Sequence, residues 1–300
     1  MNKNLEIIYS PKYEVNLMEH PFDTKIYRLI KEKIQKEFKN IYFIEPSPVK
    51  IEYLLEVHTK EYIEKILNLN LSLEEILQLE IPLNREIVNS FLITVNGTIL
   101  ASDVALKKRI GLHIGGGFHH AYSDHGEGFC VFNDIAVAIK YLKKKKIRKI
   151  AVIDCDVHQG NGTAKIFQDD KDVFTFSIHQ KDIYPIPKEK STLDIELNPN
   201  TTDDEYLNIL EDALKKIEKF SPEFIFYQAG VDIYEYDQLG GLKITKEGIL
   251  KRDKLIYEFF KQKPIVVTLG GGYALDINDT VELHYNTLKI FINGYFDEDN

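Results

Sequence analysis

The sequence predicts an α/β fold: a single domain with a central, mainly parallel β-sheet flanked by helices on both faces. Three observations carry this expectation. Short apolar, β-rich runs alternate with amphipathic stretches along the chain. The runs are almost continuously apolar, as strands covered on both faces must be. Polar residues gather directly after several of these runs, where open parallel sheets bind their ligands.

The elements follow in order. The first hundred residues read as the more helical part, with strand candidates at LEIIYS (5–10) and YFIEP (42–46). NDIAVAIKYLKKKK reads as a helix capped by Asn133, and its run Lys143 to Lys146 as a solvated last turn facing the helix dipole. RKIAVIDCD (148–156), DVFTFSIH (172–179), EFIFYQAG (223–230) and PIVVTLGGG (264–272) read as buried strands. Between them, TTDDEYLNILEDALKKIEKF carries Leu207, Leu210, Leu214 and Ile217 at helical spacing behind a Thr/Asp start. TKEGILKRDKLIYEFFKQK starts at a capping Thr245 and buries Ile249, Ile256 and Phe260. Strand, helix, strand in succession implies right-handed crossovers and a doubly wound sheet.

Composition bounds the function. The 300 residues can bury a large core, and no Pro/Gly/Ser linker or repeat divides them, so 1–300 reads as one domain. The net charge of −9 argues against nucleic-acid binding through a general basic field, though not against a local basic surface. MNKNLEIIYSPKYE has no apolar run behind its charges, so no signal peptide is expected, and no window approaches the roughly 20 apolar residues of a membrane span. Cys130 and Cys155 sit in apolar surroundings and read as reduced thiols, which points to a cytoplasmic setting.

The strand ends gather chemistry. Asp154, Asp156 and His158 follow one strand, Asp232 follows another, Tyr273 a third, and GGGFHH (115–120) precedes the helix at Asn133. Asp156 and His158 are two apart and share one side of an extended segment with Asp154. With Asp232 arriving from a neighbouring strand end, two carboxylates and an imidazole make a three-ligand set for a divalent metal with one position open to water and substrate. Taken singly, each feature has a plainer reading: a surface loop, a turn glycine, a helix cap, a core tyrosine. Their common placement at one sheet edge is what argues for a site.

GGGFHHA, GFCVFND, IDCDVHQGNGT, AGVDIYEYDQLGG and LGGGY, in this order, resemble the histone deacetylase superfamily of metal-dependent acyl-lysine amidohydrolases. The similarity runs from EVHTKEYIEKI (56–66) to the C-terminal helix, and Phe118, Gln159-Gly160-Asn161 and DQLGGLKIT look closest to class IV and its bacterial relatives. The resemblance implies the arginase/deacetylase fold and a zinc or ferrous ion held by Asp156, His158 and Asp232. It implies His119 backed by Asp154, His120 backed by residue 161, and Tyr273 as oxyanion donor. Many relatives carry a second Asp where this chain has Asn161, which favours a charged His119 and a neutral, proton-carrying His120. It also implies substrate contacts at Gly117, Gly128, Phe129, Tyr184 and Gly271, with Ile183 beside Tyr184 in the rim loop 179–192. A structural K+ is implied at Asp154, Asp156, His158, Ser177 and Ile178. The substrate that the resemblance implies is an acylated lysine in a peptide or protein, or an acylated small amine such as a polyamine.

Two other readings compete. A binuclear ureohydrolase of the same fold needs a second set of carboxylates, and no further Asp-x-Asp is present. A non-catalytic acyl-ligand-binding module would be expected to lack a ligand or the tyrosine, and every position is filled. Acyl length, native metal, oligomeric state and pathway are left open by the sequence.

Overall fold

The computed structural model describes residues 4–297. Leu5–Ile8 (β1), Lys25–Glu37 (α1) and Ile41–Ile44 (β2) open the chain. Four helices follow: Ile51–Leu54 (α2), Lys60–Leu67 (α3), Leu73–Leu79 (α4) and Arg85–Lys108 (α5). Then come Ile110–His113 (β3), Asp134–Lys144 (α6), Ile150–Asp154 (β4), Asn161–Phe167 (α7), Val173–Gln180 (β5) and Leu193–Leu197 (β6). Asp203–Phe220 (α8), Phe224–Gln228 (β7), Lys246–Phe260 (α9), Ile265–Thr268 (β8) and Ile277–Asp297 (α10) complete it.

All eight strands join one parallel sheet in the order β2-β1-β3-β8-β7-β4-β5-β6. Helices α5, α6 and α7 adjoin in one row, and α1, α10, α9 and α8 in another. Strands β4, β7 and β8 are buried at every residue, which is why they read as unbroken apolar runs. The caps are where the sequence puts them: Asn133 accepts from the Ala136 amide, Thr245 from the Gly248 amide, and Thr202 with Glu205 closes a capping box. Lys143, Lys144 and Lys145 pair with Asp170, Glu56 and Asp103, as a solvated turn allows.

Two strands escape the sequence reading. Gly111 weakens the signal of β3, but an added Cβ there would lie 2.0 Å from the Ala101 carbonyl oxygen of α5, so close strand–helix packing requires the glycine. The edge strand β6 (LDIEL) is half exposed and mixes acidic with apolar residues. One expectation is corrected outright. Helix α5 has 24 residues and a mean hydropathy of 1.4 over its most apolar window, so by length and composition it could cross a membrane. That window is 72% buried within the fold, packed against β1, β3 and β8, so here it serves as a core helix.

Candidate active site

Strands β3, β8, β7 and β4 are adjacent, and their carboxyl ends release the four segments in question side by side. Asp156, His158 and Asp232 converge, with their ligand atoms within 4.8 Å of one another, and among the described residues they form the one such group of three metal-type donors. His158 Nδ1 lies 3.2 Å from both Asp156 Oδ1 and Asp232 Oδ2. The outer carboxylate oxygens are held by backbone donors: Gly271 N–H to Asp156 Oδ2 at 2.8 Å and Val157 N–H to Asp232 Oδ1 at 2.8 Å. A Cβ on Gly271 would meet Asp232 Oδ2 at 2.3 Å, so the donor cluster needs a glycine there.

Strand alternation is not what assembles this cluster. β4 ends at Asp154, and the amides of Asp156 and His158 bond back to Oδ1 of Asp154 and of Asp156, curling the segment. Asp154 therefore turns to His119, while Asp156 and His158 face Asp232.

The donor chemistry fits a divalent cation. Two buried carboxylates repel one another: burial and then the charge of Asp156 push the Asp232 pKa well up. Burial alone would lower the pKa of His158, but Asp156 and Asp232 raise it to about 10, so the cluster takes up a proton where a cation would sit.

Beside it, His119 Nδ1 is 2.7 Å from Asp154 Oδ2, and His120 Nδ1 is 2.7 Å from Asn161 Oδ1. The two Nε2 atoms face each other at 3.1 Å. Burial disfavours charge on both rings. In His119 the carboxylates of Asp154 and Asp156 overcome it, raising the pKa to about 9. In His120 burial is reinforced by the positive charge of His119 and His158, holding the pKa well below the usual value. The two rings thus differ in the direction of their shifts, and Asn161, carrying no charge, only partly opposes the lowering at His120.

These groups lie in a cavity of about 250 Å³ whose lining includes all five expected contact residues, Gly117, Gly128, Phe129, Tyr184 and Gly271, with Tyr273 and Ile183. Gly128 has φ +51°, and a Cβ there would meet His120 Cδ2 at 2.8 Å. Phe129 itself is left-handed at φ 68°, costing about 1–3 kcal/mol and held by its N–H to the Leu79 carbonyl. Its ring lies edge-on to Tyr273, with centroids 6.0 Å apart. Burial, then Asp156 and Asp232, keep the Tyr273 hydroxyl protonated by raising its pKa well up. Ser177 stands opposite Asp154 in the β4–β5 register, with Ile178 next along β5, and its hydroxyl lies 2.9 Å from His179 Nδ1.

Several contributors were not legible as site residues. Phe22, Tyr27 and Leu239 line the cavity from distant segments. Asp134, wholly buried, accepts from the Gly117 and Phe118 amides and so shapes the glycine loop. Arg252 on α9, also wholly buried, donates to the Gly230 carbonyl at 2.5 Å and pairs with Asp253, bracing the segment that leads to Asp232. On a helix, such an arginine reads as surface. Only the capping Asn before Asp134 hinted at a tied-down loop.

A sheet edge that brings a buried Asp-His-Asp set against an imidazole pair at the base of an apolar pocket defines a metal-dependent hydrolase. The chain belongs to the histone deacetylase family, whose domain profile matches residues 20–288. It is 33% identical to histone deacetylase 2 of Arabidopsis thaliana over 302 residues, covering 93% of this chain and 78% of that one. Similarity to the acetoin utilization protein AcuC of Bacillus subtilis is 31% over 300 residues, 89% of this chain and 77% of that one. A Picosynechococcus protein is 34% identical over 93% of this chain and 95% of its own. In fold, the chain matches the crystal structure of a histone deacetylase homologue complexed with SAHA, with a TM-score of 0.83 and 24% identity over 96% of this chain and 84% of that one.

Proposed function

We propose that this deacetylase is zinc-dependent and removes acetyl groups from lysine-like amines. The observation that carries the reading is the imidazole pair beside the donor cluster, one ring charged by Asp154 and the other kept neutral against Asn161. Asp156, His158 and Asp232 would hold zinc (or ferrous iron), which would supply Lewis acidity towards an amide carbonyl and a neighbouring water. His120 accepts the proton of the attacking water at Nε2 and returns it to the amine nitrogen as the C–N bond breaks. His119, held cationic, stabilises the negative charge that develops, and the Tyr273 hydroxyl donates to the carbonyl oxygen as it gains charge. Water ends divided between acetate and the free amine.

The cavity supports a short acyl group. At about 250 Å³ it falls below the usual range of ligand pockets, roughly 300–1,000 Å³, and aromatic rings close its walls. A potassium ion beside Asp154, Asp156, His158, Ser177 and Ile178 belongs to the same reading, supported by the register pairing of Asp154 with Ser177. So does a reducing, cytoplasmic setting, supported by two buried free thiols.

The test is a kinetic screen of the zinc-loaded protein on peptides with acetyl-lysine and progressively longer acyl-lysines, beside an acetylated polyamine. Acetyl substrates should be turned over fastest, and His120→Ala should be more damaging than His119→Ala at equal metal content. Faster turnover of long acyl chains would overturn the acetyl assignment, and a deader His119→Ala would exchange the two histidine roles.

A further inference from the structure

Behind His120 and Asn161 stands a carboxylate that the reaction scheme does not use. Glu127 directly precedes the pocket residues Gly128 and Phe129, and its side chain is 13% exposed. Its Oε1 accepts from Asn161 Nδ2 at 2.5 Å and from the Tyr184 hydroxyl at 2.6 Å. Its Oε2 accepts from Gln78 Nε2 at 3.0 Å and lies 3.5 Å from His125 Nε2. Burial would raise its pKa, but these donors outweigh burial and lower it to about 2, so the group is an anion and can only accept.

We propose that Glu127 is a positioning residue that fixes the tautomer of His120 through the amide of Asn161. The argument is one of donors and acceptors. An ionised carboxylate 2.5 Å away can be faced only by the NH2 end of the amide; the reverse orientation would set oxygen lone pairs against an anion. The second hydrogen of that NH2 points to the Tyr122 hydroxyl at 3.2 Å, and that hydroxyl in turn donates to Glu189 Oε1 at 3.3 Å. Both hydrogens are thus committed, and the atom left facing His120 Nδ1 at 2.7 Å is the amide oxygen. An acceptor at that position requires the proton of the neutral ring to sit on Nδ1. Nε2 then carries a bare lone pair into the pocket, as a base needs.

This accounts for an asparagine where an aspartate would orient the ring as well. Asp154 sets the orientation of His119 and charges it. Asn161 transmits an orientation set by a carboxylate one group farther away, without placing the charge against His120. The same carboxylate holds Tyr184, whose ring packs edge-on to His120 with centroids 4.9 Å apart.

The inference rests on His120 as proton carrier for its effect on rate, but not for its effect on the tautomer, so the two can fail separately. The measurement is 15N NMR of histidine-labelled protein, metal-free and zinc-loaded, with His120 assigned by its loss in His120→Ala. Wild type should show Nδ1 protonated. Glu127→Leu removes the acceptor, and both tautomers of His120 should appear. kcat on an acetyl-lysine peptide should fall about threefold or more. Glu127→Gln, whose carbonyl oxygen can still accept from the amide, should restore the single tautomer. In an Asn161→Ala background, Glu127→Leu should leave the His120 tautomer ratio unchanged, because the path runs through the amide. Tyr184→Phe, which removes the other hydroxyl on this carboxylate, should keep the wild-type tautomer. Glu127→Met serves if the leucine variant does not fold. An unchanged His120 tautomer in Glu127→Leu, or a further tautomer change when it is added to Asn161→Ala, would overturn the proposal. A shifted tautomer with an unchanged rate would support the positioning role and remove His120 as the proton carrier.

Discussion

Asn161→Asp places a carboxylate where the amide now accepts from His120 Nδ1 at 2.7 Å. The molecule supplies its own reference for the effect. His119 has Asp154 at the same 2.7 Å and, despite burial, is raised to about 9. Two unit charges with centres about 4 Å apart interact by about 4 kcal/mol at an effective dielectric of about 20, or about 3 pKa units. Two effects oppose the full shift. The new charge is buried, and it stands against Glu127, which lies 2.5 Å from the present Nδ2. A rise of about 2 units in the pKa of His120 is the expected remainder. The sign follows: a raised pKa keeps the base protonated, and so inactive, to higher pH. The acidic limb of the kcat/KM profile should therefore move up by about 2 pH units. Adding Glu127→Gln removes the opposing charge, and the limb should move further. The assay is a kcat/KM profile on an acetyl-lysine peptide, with metal content measured at each end. A limb that stays in place at full metal occupancy refutes His120 as the group that titrates there.

Three further outcomes are expected. Asp232→Ala should lose both divalent metal, measured by elemental analysis, and deacetylase activity, because it removes one of three converging donors. Tyr273→Phe should keep fold and metal while lowering kcat by about 10²-fold, the cost of losing one oxyanion donor; an undiminished rate would remove Tyr273 from the reaction. Stability should fall on the acid side, because burial lowers His58 to about 4 and His113 and His284 to about 3. All three stay neutral in the fold but take up protons on unfolding below pH ~6.5, costing about 2 kcal/mol each by pH 5. Asp237, raised by burial to about 6, and His119 and His158, raised to about 9 and about 10, hold their protons more tightly in the fold and together offset about 4 kcal/mol over the same range. The melting temperature should drop modestly between pH 7.5 and 5, and a rise over that range would contradict the neutral buried histidines.

How much of this was legible in the sequence depended on range. The strands β4, β5, β7 and β8 were readable because a strand buried on both faces leaves an apolar run with no alternation to misjudge. Their helices were readable because caps and stripes are local. β3 was not, since Gly111 answers to Ala101 on another element. Asp156, His158 and Asp232 could be grouped from the sequence because adjacent parallel strands release their carboxyl-end loops side by side. Strand alternation alone would point Asp154 the same way as Asp156 and His158, whereas turn hydrogen bonds separate it towards His119.

Asn161 shows where local reading stops. That a neutral amide leaves His120 uncharged follows from its residue type alone. Which end of the amide faces the ring does not, because an amide can donate or accept at that position with equal ease. The choice is made by Glu127, 34 residues away along the chain and reading as an ordinary acidic loop residue within HGEGFC. Metal ligands announce themselves by chemistry that few other roles require. A residue that acts by taking an amide's hydrogens looks like any surface glutamate until its acceptors are counted. That is why the cluster was visible from the sequence and the device that orients its base was not.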